Sequence, residues 1–105
     1  MERLNNPVPA SAAVSLTTSV VKLSESSTAV KDRQWLTFPV YSLTGIVYVM
    51  SVAPNATAPS SGDMQNYGSQ YTSANGIVQI NVGENMDVYA MLSTGTFSAY
   101  PTEWQ

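Results

Sequence analysis

Between Asn75 and Ala90 the chain reads NGIVQINVGENMDVYA. Val78, Ile80 and Val82 alternate with Gln79 and Asn81. After Gly83-Glu84-Asn85, Met86, Val88 and Ala90 resume the beat. Successive side chains of a β-strand point to opposite faces, so this period of two assigns one face to a core and the other to the exterior. Ile77–Val82 is expected as one strand and Met86–Leu92 as the next, with the glycine at the corner between them. Ser93-Thr94-Gly95 then reads as a tight turn in which glycine supplies a positive φ. Thr96–Tyr100 is expected as the last strand, before a tail of Pro-Thr-Glu-Trp-Gln.

The same period recurs upstream. In Ala13–Leu23, Val14 and Leu16 face one way, and a kink near Thr18-Ser19 lets Val21 and Leu23 continue the buried face. Gln34–Tyr41 places Leu36, Phe38 and Val40 on one side and Trp35, Thr37 and Tyr41 on the other. Pro39 cannot donate to a ladder, so this strand is expected to be an edge there, or bulged. Ser42–Gly45 reads as a turn. Ile46–Val52, IVYVMSV, is rich in branched and aromatic side chains and reads as a strand that pairs with the preceding one as a hairpin. Ser24–Arg33 is a polar connection, too short to carry a stable helix alone.

About seven short strands and no amphipathic helix specify an all-β fold, a small antiparallel β-sandwich or barrel. The expected inward set is Val14, Leu16, Leu23, Leu36, Phe38, Val40, Val47, Val49, Val78, Ile80, Val82, Val88 and Phe97. A chain of 105 residues is one domain, large enough to bury a core without staples. Residues 1–12, with Pro7 and Pro9, read as an extended N-terminal arm, and 13–105 as the sandwich domain. Residues 53–75 read as a long polar loop without regular structure. Met64, Tyr67 and Tyr71 in this insert are expected to order against a partner or a neighbouring subunit, because solvated linkers are poor in aromatics.

The chemistry is sparse. Cysteine and histidine are both absent, which removes thiolate sites, disulfides, the commonest metal ligand and the commonest general base near neutral pH. No G-x-S-x-G elbow occurs, and nothing selects a facing pair among the seven acidic residues. Asp63, Glu84 and Asp87 have no spacing that supplies the six or so oxygens Ca2+ requires. No enzymatic activity, cofactor or metal is expected. Net charge is −3 and only 10% of residues are charged. Arg3, Lys22, Lys31 and Arg33 form no basic stripe, so nucleic acid is not an expected partner. Lys31-Asp32-Arg33 reads as a solvated turn. No apolar run approaches a membrane span of about 20 residues, and the opening residues lack the apolar middle of a signal peptide. A weakly charged surface of Ser, Thr, Asn, Gln and Tyr carries little repulsion against close neighbours and suits packing against protein.

Several motifs occur in a suggestive order. A charged residue, Arg33, precedes the strand that carries Leu36-Thr37-Phe38, and Val47-Tyr48-Val49 follows a turn. Thr72-Ser73-Ala74-Asn75-Gly76 comes next, then an apolar strand that meets Gly83-Glu84 before another strand and a closing hairpin. From Val14 to Tyr100 this order resembles that of small β-sandwich virion proteins of tailed bacteriophages, which decorate heads or build necks and tails. Tyr41-Ser42 stands where that family often has Asn, and the insert is longer than usual. The resemblance implies a structural protein of the virion, foremost a capsid decoration (cement) protein that binds and stabilises the head shell. It implies a homo-oligomer, often a trimer, whose partners are the major capsid protein or other virion proteins. Contact residues would be Leu4 and Val8 on the arm, Met64, Tyr67 and Tyr71 on the insert, and Trp104 at the tail. The alternatives are a neck or tail component, or a carbohydrate or receptor-binding module that uses Trp35, Tyr41, Tyr48 and Tyr89 as an aromatic platform.

Overall fold

The computed structural model describes residues 7–9, 13–24, 35–54, 56–82 and 86–104. The fold is an all-β sandwich. Its strands among these residues are β1 (Pro7–Pro9), β2 (Val14–Leu16), β3 (Val21–Ser24), β4 (Trp35–Pro39), β5 (Val47–Val52), β6 (Ser69–Tyr71), β7 (Ile77–Asn81), β8 (Asp87–Leu92), β9 (Phe97–Ala99) and β10 (Thr102–Trp104). One short helix, α1 (Ser61–Tyr67), precedes β6. Every strand pairing is antiparallel. One sheet runs β1-β10-β4-β7, a second β3-β8-β5-β6, and β2 with β9 forms a separate ribbon.

The period of two explains the layering. Leu36 and Phe38 on β4 and Val78 on β7 meet Val47 and Val49 on β5 and Val88, Ala90 and Leu92 on β8. Leu16 and Ala99 bring the ribbon into the same core. Val14, Ile80 and Phe97 are partly buried against it, so every residue of the expected inward set belongs to this cluster. The bend at Thr18-Ser19 separates β2 from β3 where the kink was expected.

Three expectations are corrected. β4 and β5 do not form a hairpin. β4 pairs with β10 and β7, whereas β5 pairs with β8 and β6. The segment between them carries the chain from one sheet to the other, and each strand finds its partners far along the sequence. Its crossing is pinned at the β8–β9 turn: the Ile46 N–H donates to Ser93 Oγ at 2.9 Å, and the Ser93 N–H donates to the Ile46 carbonyl at 2.8 Å. Likewise, the strand after Ser93-Thr94-Gly95 pairs with β2 and not back onto β8. The turn itself has the expected positive φ at Gly95.

The third correction concerns the insert, which is structured and packs on its own domain. Ser60 caps α1: its Oγ accepts from the Asp63 N–H, and Asp63 Oδ2 accepts from the Ser60 N–H. The Met64 side chain is fully buried. It packs with Tyr89 and Met91 on the outward face of β8, flanked by Val20, Tyr48, Met50 and Val52. This explains why all six residues of β8 are buried: one face meets the main core and the other lies under α1.

Of the expected arm, Pro7–Pro9 is described, and it is an edge strand paired with β10. The rest of 1–12 lies outside the described residues, as do 25–34, including Lys31-Asp32-Arg33. The strand at Thr96–Tyr100 is not the last: the expected tail is itself a strand, β10, wedged between β1 and β4, whose ladders take up its backbone groups. Pro39 sits as a proline must. The Val40 N–H donates to the Gly76 carbonyl, toward β7. Alternation turns the Pro39 nitrogen the other way, past Thr102 where β10 no longer pairs.

Candidate binding face

The two sheets differ in what covers their outer faces. On the β3-β8-β5-β6 sheet, α1 covers apolar side chains. On the other sheet, the outward positions of β4, β7 and β10 are Trp35, Thr37, Pro39, Ile77, Gln79, Asn81, Thr102 and Trp104, assigned by alternation from the buried Leu36, Phe38 and Val78. None of these is charged. Outer faces of antiparallel sheets are ordinarily polar, so two indoles and an exposed Ile77 depart from the rule.

Register brings the indoles together. Trp35 and Trp104 are direct cross-strand partners, and Thr37 pairs with Thr102 on one side and Gln79 on the other. Trp104 leans diagonally across the pair, and its Nε1–H donates to Thr37 Oγ1 at 2.8 Å. This bond uses the indole N–H and fixes the ring. Trp35, Thr37, Ile77, Gln79 and Trp104 line a cleft of about 290 Å³. The floor is rigid ladder; the walls are two half-buried indoles and an aliphatic side chain. The Gln79 amide is exposed at the rim and has no hydrogen-bond partner among the described residues. Its backbone carbonyl accepts from the Tyr71 hydroxyl at 3.3 Å, a tie between the two sheets.

The described contact residues lie on separate elements. Leu4 lies outside the described residues. Val8 is in β1, opposite Glu103. Met64 is buried inside the chain under α1, so it has no surface to present. Tyr67, at the end of the same helix, is 76% exposed. Tyr71 is half-buried against the main core, and Trp104 stands in the cleft. The four-residue aromatic platform is not assembled either. Trp35 is in the cleft, Tyr41 is exposed at the turn beside Gly76, and Tyr48 and Tyr89 belong to the small core under α1. Thr37, Ile77 and Gln79 were not singled out by their sequence pattern. The signal was present in Trp35 and Thr37 two apart on β4, but the strands that would face them depend on long-range pairing.

Among the described residues the carboxylates do not gather. Asp63 is engaged in the α1 cap, Asp87 is buried with Lys22 Nζ at 3.9 Å, and Glu84 lies outside the described residues. Among the described residues no group of three His, Cys, Asp or Glu side chains could hold a metal ion. No described helix is long and apolar enough to cross a membrane. The arrangement can bind by shape and stacking. No known protein family, curated protein or solved structure significantly matches the chain.

Proposed function

We propose that this chain is a structural protein of a tailed-bacteriophage virion, foremost a capsid decoration protein that stabilises the head shell by adhesion. The observation that carries this reading is its surface. Tyr41, Tyr67 and Tyr100 are 70%, 76% and 60% exposed on a protein with few charges. Tyrosine is enriched at protein–protein contacts because its ring buries apolar area while its hydroxyl stays hydrogen-bonded. Weak charge leaves little repulsion when copies crowd on a shell. Repetition across a symmetric lattice multiplies a modest single contact through multivalency. The order of motifs shared with small virion β-sandwiches supports the same reading.

The test is to quantify the protein in purified particles of the phage that encodes it. A decoration protein is present in a fixed, high ratio to the shell subunit and stays with tail-free heads. A low ring-like copy number that leaves with the tail assigns it to the neck or tail instead. Absence from purified particles ends the virion reading.

A further inference from the structure

We propose that the cleft between Trp35 and Trp104 is a binding site for a neutral sugar ring. This goes beyond the virion reading and does not rest on it. A pyranose has one face of C–H bonds and an edge of hydroxyls. The cleft offers the complement of each. The indoles of Trp35 and Trp104 supply flat, polarizable walls for the C–H face, with Ile77 extending the apolar surface. The Gln79 amide stands at the rim, where it can donate to one hydroxyl and accept from another. Asn81 is the cross-strand partner of Trp35 and adds a second amide on the same face.

Charge and size narrow the ligand class. With no charged residue among the outward positions of β4, β7 and β10, the described lining offers no cation to hold a sialic or uronic acid and no anion to hold an amino sugar's ammonium. Its volume of about 290 Å³ is at the lower edge of the roughly 300–1,000 Å³ typical of small-molecule pockets. That size suits one ring, or one ring and part of its neighbour. The site is also preorganised. Trp104 is held by its bond to Thr37, and both indoles stand on paired strands, so little side-chain freedom is lost on binding.

The probes are glucose, galactose, N-acetylglucosamine and lactose, with sialyllactose as the charged comparison, titrated against the full chain while tryptophan emission and heat are recorded. At least one neutral sugar should give a saturable response with a Kd in the millimolar range, and sialyllactose should bind no tighter than lactose. Trp35→Ala should weaken that sugar about tenfold or more. Gln79→Ala, at an exposed position that leaves the core intact, should weaken it several-fold and alter the preference between glucose and galactose. Should Trp35→Ala fail to fold, Gln79→Ala decides. Absence of saturable binding by any neutral probe overturns the proposal. So does binding that neither variant changes, or a concentration-dependent dimer that Gln79→Ala dissolves, which would assign the cleft to a second copy of the chain.

Discussion

Gly62 and Gly68 flank the same buried methionine and should respond oppositely to a methyl group. At Gly62, inside α1, an added Cβ would meet only Ser60 Oγ, at 3.8 Å, an ordinary contact. Gly62→Ala should therefore raise stability by about 0.5 kcal/mol through reduced backbone entropy in the unfolded chain. At Gly68 the added atom would lie 2.6 Å from the Met64 carbonyl oxygen and 3.3 Å from that of Val49. Backbone must move, and Gly68→Ala should cost about 1–3 kcal/mol. Urea unfolding of the two variants checks both signs. At this scale the sequence was most legible where a residue's role follows from its neighbours. Val78 and Val82 were assigned inward from the alternation alone and are buried. Met64 was misread because a lone apolar residue in SGDMQNY has no periodic partner; what buries it is Tyr89 and Met91, far along the chain.

The helix α1 is seven residues long, below the length at which a helix persists alone in water. Its persistence rests on two supports that can be removed separately. Ser60→Ala deletes the side chain that caps the Asp63 N–H and should cost about 1 kcal/mol. Met64→Ala empties a fully buried site and should cost about 2–5 kcal/mol. Hydrogen exchange distinguishes local from global loss. In Ser60→Ala the amides of 64–68 should exchange faster while those of β4 keep their protection. The segment reads as a loop in the sequence because Met64 is its single aliphatic residue, too little to mark a helical period. The β4–β5 pair failed for a related reason. Two adjacent strand-like runs joined by a turn fit a hairpin locally, and only the preference of each for distant partners separates them.

Across the whole molecule, β10 holds one sheet together. It pairs with β1 on one side and β4 on the other, and it carries Trp104 into the cleft. A chain ended after Pro101 loses the strand, the indole and the anchor of β1. Its Tm should fall by roughly 10 °C or more, taking a loss of about 2 kcal/mol or more at about 4–8 °C per kcal/mol for a domain of this size. Calorimetry measures it; an unchanged Tm would mean that β10 adds nothing to the sandwich. The all-β class and the composition of the core were legible because burial leaves a period in the sequence. The open face was not, because it depends on which strands become neighbours. Register couples Pro7 to Trp104, the first and last of the described residues, and closing loops that long slows folding. While the ribosome is still making the protein, β4 has one flank unclaimed until the codons for Thr102–Trp104 have been read and that segment has cleared the exit tunnel. The newborn chain must therefore wait, half-zipped, and the emergence of that segment decides when β1 has a partner to dock on.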